Sequence, residues 1–220
     1  MTFSQLQTEV GDLLNMTIDA NSTVNTTQVK RDLNTARDLV LNRLLVLGQN
    51  YNVRIAKADL VANQSLYGLP TDFRKFVRLE MGYANATDRV KVDQIDFNEI
   101  GDPNVDVFSQ ADPKYSIIGN MYEIMPTPTA NVTDGIYFLY VEDPADMSGD
   151  SDTTGLPFNY DHLLPLYAAG KGSYTLGLKE EGNVYMAQFN YGLDEMENNI
   201  VERNIDSGGM IANVSDYGGL

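Results

Sequence analysis

The hydrophobic residues near the N-terminus recur at steps of three and four, the spacing of amphipathic α-helices. A first helix is predicted to begin after Thr2 or Ser4, either of which can cap it, and to stop near Asn15. A second follows a polar loop and is expected to end at Gly48. The apolar faces comprise Phe3, Leu6, Val10, Leu13 and Leu14 in the first helix and Val29, Leu33, Ala36, Val40 and Leu44 in the second. Such a short connection favours an antiparallel helix pair.

From Tyr51 onward, alternation and runs of β-branched and aromatic residues replace the helical spacing and predict strands. Strands are expected within residues 52–62, 73–81 and 89–95, followed by a loop or short helical turn over 96–112. Asp134-Gly135 predicts a turn. Residues 136–141 are apolar on both faces, so this strand is expected to be covered on both sides by helices of its own chain or by a neighbouring subunit.

Gly119-Asn120 separates two further strand-like runs and predicts a two-residue hairpin loop of type II′, because glycine suits the positive φ of its first position. This loop length fixes the register of the two strands. The predicted cross-strand pairs are Ile118 with Met121, Ile117 with Tyr122, and Tyr115 with Ile124.

Helical spacing returns after an acidic, polar connector over residues 142–155. One helix is predicted from about Tyr160, with Gly170 and Gly172 either weakening its middle or letting another helix approach closely. A last helix is predicted from about Glu181 to Arg203. Its expected inward face comprises Val184, Phe189, Leu193, Met196 and Ile200. The Gly-rich end of the chain carries only isolated apolar residues and cannot form a core of its own.

These elements predict an α+β fold. Helices from both ends of the chain, in residues 1–50 and 146–205, are expected to form a helical bundle. An antiparallel β domain over residues 51–145 is inserted between them, and residues 206–220 form an extended C-terminal arm. No internal repeat interrupts this order.

Composition excludes several classes of function. The net charge of −16, with no basic patch beyond Lys30-Arg31, argues against nucleic-acid binding by counterion release. The absence of Cys excludes disulfides and thiolate metal sites. The N-terminal residues lack the positive charge and apolar run of a signal peptide, and no apolar run approaches the length of about 18 residues needed to span a membrane.

Three features could indicate chemistry, but each has a plainer interpretation. His162, the one histidine, begins a helix and lacks a nucleophile motif, which favours a capping or surface role. The carboxylates that could bind Ca²⁺ do not match the spacing of a calcium loop; they are Asp143, Asp146, Asp150 and Asp152. The run from Gly170 to Ser173 lacks the rest of a phosphate loop. We therefore predict no catalytic, cofactor-binding or metal-binding residue, no cofactor, and no enzyme activity.

Four stretches, taken in order, resemble the head-to-tail adaptor (connector) proteins of tailed bacteriophages. They are VKRDLNTARDLV, SLYGLPTDFRKFVRLE, PKYSIIGNMYEIMPTPT with the following IYFLYV, and GLPFNYDHLLPLYAAGKGSYTLG. The resemblance implies a structural virion protein of the neck between capsid and tail, assembled in the host cytoplasm. Such a protein binds below the portal as a ring, usually twelve-fold, extends the DNA channel and provides the tail attachment site for DNA ejection.

The implied partners are the portal protein, neighbouring copies in the ring and a tail or nozzle protein, with no membrane. DNA would pass through the channel without specific binding, since an acidic lining repels phosphates. The arm would reach the portal or a neighbouring copy. Its predicted anchors are Met210, Ile211, Val214 and Tyr217.

Two alternatives come from other classes of protein. A tail-fibre or other tail surface module could bind a glycan or Ca²⁺ through its β region, and its stability or binding would then depend on Ca²⁺. An uncharacterised enzyme would need catalytic carboxylates that cannot be singled out among the 31 acidic residues.

Overall fold

The structure, a computed structural model, describes residues 1–47, 53–96, 108–156 and 160–215, and beyond residue 200 it describes the backbone alone. The chain divides into two compact units: a helical unit, Met1–Gln49 with Ala145–Leu220, and a β unit, Asn50–Pro144. The helical unit contains α1 (Phe3–Leu14), α2 (Thr26–Val46), a 3₁₀ turn (Tyr160–His162), α3 (Leu163–Thr175) and α4 (Lys179–Ser215). The β unit contains β1 (Val53–Leu60), β2 (Leu66–Gly68), β3 (Phe73–Met81), β4 (Val90–Gln94), β5 (Lys114–Ile118), β6 (Met121–Met125) and β7 (Val132–Glu142). The predicted α+β class is confirmed.

Local capping signals explain where the first two helices begin. The Thr2 side chain accepts from the backbone N–H of Gln5, and the Gln5 side chain accepts from the N–H of Thr2, which is a capping box. Asn25 caps α2 by accepting from the N–H of Gln28 at 2.9 Å. Both predicted helices are confirmed. The expected stop of α2 at Gly48 lies outside the described residues.

The third helix packs against α1, α2 and α4. Its glycines make this possible: a Cβ on Gly172 would lie 2.7 Å from Leu14, and one on Gly170 would lie 2.9 Å from Met186. Of the two interpretations of these glycines, close approach is therefore the one that the structure shows. None of the described helices is long and apolar enough to cross a membrane.

The inward face of α4 differs from the prediction at one residue. Phe189, Met196 and Ile200 are buried and Leu193 is half-buried, but Val184 is 54 % exposed. Val184 precedes Phe189 by five residues, a step that turns it to the other side of a helix with 3.6 residues per turn. Gly182, seven residues before Phe189, is buried on the inner face instead.

The described backbone also differs from the extended arm predicted for residues 206–220. Helix α4 continues to Ser215, and residues 216–220 lie outside the described part of the chain. The steps of one, three and four residues between the apolar positions Met210, Ile211 and Val214 place all three on one side of a helix. The sequence pattern is therefore as compatible with a helix as with an extended segment.

The β unit is one curled sheet of seven strands in the order β1-β7-β3-β4-β5-β6-β2. The pairing of β4 with β5 is parallel, so the sheet is mixed rather than antiparallel throughout as predicted. The strand β2, which the sequence analysis did not predict, pairs with β6. The inner face holds an aromatic core in which the rings of Tyr122 on β6 and Phe138 on β7 lie 5.1 Å apart.

The hairpin between β5 and β6 has the predicted register. Ile118 pairs with Met121, and the other two predicted pairs are also present. Gly119 has φ +60° and Asn120 does not have a positive φ. A type II′ turn requires this combination.

Asp134-Gly135 does not form the predicted turn. It is a bulge inside β7, where Leu60 pairs with Val132 but Ala58 pairs with Ile136. Asp134 has φ +51°, and its N–H donates to the Asp59 carboxylate at 2.8 Å. Turns and bulges both use residues that tolerate positive φ, so the dipeptide alone does not separate them.

The part of β7 that follows the bulge is apolar on both faces, and β7 lies inside the sheet between β1 and β3. Its inner residues Ile136, Phe138 and Tyr140 are buried in the core of the β unit. On its outer face, the guanidinium of Arg89 lies 3.8 Å from the centroid of the half-buried Tyr137 ring. Side chains of the sheet itself therefore supply part of the covering that we expected from helices or a neighbour.

The acidic connector is held in place where it enters the helical unit. The buried Asn34 side chain on α2 donates to the carbonyl of Met147 at 3.1 Å and accepts from its N–H at 2.9 Å. One turn further along α2, the buried Arg37 donates to the carbonyl of Ala145 at 2.8 Å. We call Asn34 and Arg37 the connector clamp.

Candidate functional site

A groove of about 520 Å³ lies between α2 and α3 in the helical unit. The residues that line it recur at helical steps, so each helix contributes one face. They are Gln28, Arg31, Asp32 and Thr35 on α2 and Tyr167, Lys171, Tyr174 and Thr175 on α3. We call this feature the α2–α3 groove.

The groove combines cations with aromatic rings. Arg31 pairs with Asp32 at 3.1 Å, yet 71 % of its side chain stays exposed. The ammonium of Lys171 lies 5.4 Å from the Tyr167 ring centroid, within the range of a cation–π contact. Two cations face one carboxylate here, so the groove carries a net positive charge in a chain of net charge −16. It is suited to an acidic or aromatic partner.

The side of α4 opposite its buried face carries a second apolar stripe. Val184 is 54 % exposed and Tyr191, seven residues later, is 72 % exposed. Ala187 lies between them, also exposed, and Glu180 and Glu195 flank the stripe. We call Val184, Ala187 and Tyr191 the α4 outer stripe. Two apolar sides on one helix indicate two packing partners.

The β unit exposes a smaller apolar patch near the tip of its hairpin. Leu66, Ile118 and Met121 are each about two-fifths exposed. Because Met121 pairs with both Ile118 and Gly68, and Leu66 lies two residues from Gly68, the three side chains share one face of the sheet. We call this the hairpin patch.

A family model described as SU10 adaptor protein matches residues 1–211. The chain belongs to this family. Membership identifies it as a structural phage protein, a head-to-tail adaptor, and implies a place in the virion neck. No curated protein matches the chain significantly in sequence. The resemblance drawn from the four sequence stretches is confirmed at the level of the family.

The anchors predicted for this SU10 adaptor lie at the end of the chain. Met210, Ile211 and Val214 fall within the helical backbone of α4, and Tyr217 lies outside the described residues. Their role in binding a partner stays a prediction.

The acidic residues that could have formed a calcium site in the adaptor interact with different partners. Asp143 pairs with Arg74 in the β unit, and Asp146 pairs with Arg37 in the helical unit. Asp152 closes a turn by accepting from the N–H groups of the two residues that open it, at 2.7 and 2.8 Å. Those two hydrogen bonds, first from residue 148 and then from residue 149, lower the pKa of the Asp152 carboxyl.

Two further sequence features had suggested chemistry, and the structure gives each a plainer interpretation. His162 is exposed at the start of α3, and the glycines of the Gly170–Ser173 run serve helix packing. Across residues 1–47, 53–96, 108–156 and 160–200, no group of three or more His, Asp or Glu side chains is arranged to hold a metal ion.

Sequence reasoning missed the α2–α3 groove and assigned Val184 to the wrong side of α4. A signal for the second error was present, because Val184 breaks the seven-residue spacing that joins Phe189, Met196 and the buried Gly182. The groove had no such signal, since it depends on which faces of α2 and α3 meet.

Proposed function

We propose that this adaptor assembles as a homo-oligomeric ring, twelve-fold as is usual for such proteins, beneath the portal of its phage. In that position the ring extends the DNA channel and provides the attachment site for a tail or nozzle protein. The observation that carries the proposal is the match of the SU10 adaptor family over residues 1–211, which includes both units and nearly all of α4.

The C-terminal part of α4 is our candidate for contact with the portal or with a neighbouring copy. At a rise of about 1.5 Å per residue, a helix of 37 residues is about 55 Å long. The backbone of α4 continues for fifteen residues beyond the buried Ile200. Met210, Ile211 and Val214 would fall within a sector of about 100° on a helix, which suits docking into an apolar groove.

The charge of the chain fits a conduit for DNA. With a net charge of −16 per copy, a ring of this protein would repel the phosphates of a passing duplex. The repulsion falls off over about 8 Å at physiological salt, so it acts on DNA near the wall and leaves the duplex free to slide.

The test is to mix the purified adaptor with portal rings from the same phage and to image the product. We expect a collar on the tail side of the portal, with matching symmetry. Portal rings that stay bare beside a monomeric chain would overturn the adaptor assembly itself.

A second arm of the experiment addresses the end of α4. Truncation after Asp206 removes all four predicted anchors and is expected to abolish or loosen the collar. Ala212→Ser, a change on the other side of the same helical segment, is the matched control and should leave the collar intact. An unaffected collar after truncation would refute the docking role of the anchors while leaving the adaptor assembly in place.

The alternative of a tail-fibre module that binds a glycan or Ca²⁺ is not carried further, because the family match covers nearly the whole chain and identifies an adaptor.

A further inference from the structure

Two exposed surfaces of the helical unit complement each other. We propose that the α4 outer stripe of one copy packs into the α2–α3 groove of the next copy, and that this head-to-tail contact builds the ring. The inference rests on the proposed function, because it names the neighbour contact within the ring that the function requires.

The lengths of the two surfaces match. A groove between two packed helices accepts a third helix by the same packing of ridges into grooves that joins helices within a protein. On α2 the lining runs from Gln28 to Thr35, and the outer stripe runs from Val184 to Tyr191. Each span covers seven residue steps, or about 10 Å of helix.

The charges of the two surfaces are opposite. Two copies of a chain with net charge −16 repel each other, so an interface between copies gains from placing cations against carboxylates. The groove supplies Arg31 and Lys171, and the outer stripe is flanked by Glu180 and Glu195.

Both surfaces carry aromatic residues. Tyr191 is the most exposed large hydrophobic residue of α4 up to residue 200, and the groove presents the exposed Tyr174 beside the buried Tyr167. Tyrosine rings that pack against each other and beside an Arg guanidinium are typical of the residues that contribute most at protein interfaces.

The contact is heterologous, because two different surfaces meet. An isologous contact would stop at a dimer, whereas a head-to-tail contact continues from copy to copy and closes into a ring when the rotation between copies permits. The surfaces therefore predict the type of symmetry that an adaptor ring needs.

The absence of Cys from the chain makes this contact directly testable. Ala187→Cys places a thiol on the outer stripe and Thr35→Cys places one in the groove, and both replacements are similar in size to the native residue. The double variant is assembled on portal rings and treated with a short bismaleimide cross-linker, which tolerates a small offset in register. We expect a ladder of covalent multimers on a denaturing gel.

The single variants define the direction of the contact. Each alone should give no multimers, and a mixture of the two should give dimers only. Covalent dimers from Ala187→Cys alone would indicate an isologous contact and overturn the proposal. A double variant with Ile118→Cys and Thr35→Cys is the matched control, because it moves one thiol to the hairpin patch, and it should give no ladder.

A substitution supplies an independent readout. Tyr191→Asp is expected to reduce collar formation at least tenfold at a fixed protein concentration, and Ile118→Asp, at another exposed apolar position, should not. Normal collars without the ladder, or normal collars with Tyr191→Asp, would overturn this contact and leave the adaptor function standing. Bare portal rings with the wild-type chain would overturn the function and the contact together.

Discussion

The connector clamp makes a specific prediction about stability. Asn34 on α2 holds both backbone groups of Met147, at 3.1 and 2.9 Å, across 113 residues of sequence. Asn34→Ala removes both partners and leaves a buried N–H and a buried carbonyl without the amide that satisfied them. Each loss costs about 1–3 kcal/mol, and the better helix propensity of Ala returns about 0.5 kcal/mol. We expect the free energy of unfolding to fall by about 1.5–5.5 kcal/mol.

That loss is large beside the roughly 5–15 kcal/mol by which small domains are stable. Urea unfolding followed by far-UV circular dichroism measures it, because the helical unit contributes most of that signal. Limited proteolysis supplies a second readout, since a released connector should be cut faster within residues 142–156.

Asn190→Ala is the matched control for this prediction. It makes the same chemical change on an exposed position of α4 and should alter the free energy of unfolding by no more than about 0.5 kcal/mol. If Asn34→Ala were as mild as Asn190→Ala, with no faster cleavage of the connector, the clamp would contribute nothing to stability and the reasoning would be refuted.

Three further predictions concern packing and pH. Gly172→Ala should lower the free energy of unfolding by about 1–2 kcal/mol, because the clash of its Cβ with Leu14, 2.7 Å away, outweighs the gain in helix propensity; urea unfolding that shows increased stability would contradict this. Asp152→Asn should destabilise the protein near neutral pH, and the difference from wild type should vanish as pH falls through the depressed pKa of the carboxyl, below 3.8; a difference that persists in acid titrations would exclude the charged hydrogen bonds as its cause. Burial raises the pKa of Tyr115 and Tyr122 above 10.0, so their contribution to stability is complete below pH 10 and is lost as pH rises beyond it. The chain has thirteen tyrosines, so the Tyr115→Phe and Tyr122→Phe variants serve as references that isolate the tyrosinate absorbance of these two residues. That absorbance should rise together with the loss of near-UV dichroism, and ionisation of these two residues at pH 10 in the folded protein would contradict the prediction.

The features that could be predicted from the sequence are those whose cause is local. Thr2 and Asn25 cap helices through residues three positions away, and the loop at Gly119 fixes the hairpin register by its length alone. Each signal and its consequence lie within a few residues. Neighbouring structure therefore has little opportunity to override them.

The features that were missed depend on distant partners. Asn34 lies on a helix whose sequence gives no reason to bury an amide, and its partner is 113 residues away. The bulge at Asp134 forms where β7 pairs with β1, and β1 consists of residues 53–60, far from Asp134 in the sequence. The tertiary structure determines these contacts, and no spacing of residues in a single sequence predicts them.

The outer stripe of α4 shows how an exposed apolar residue can be assigned to the wrong face of a helix. The predicted inward face of α4 included both Val184 and Phe189, although five residues separate them. In the structure Val184 is exposed to solvent. In a monomer, a residue off the stripe would be a minor irregularity. In a chain that belongs to an adaptor family, a second apolar side with its own seven-residue step from Val184 to Tyr191 is better explained by a second packing partner. In the contact that we propose, Val184, which does not fit the intramolecular pattern, faces the neighbouring copy.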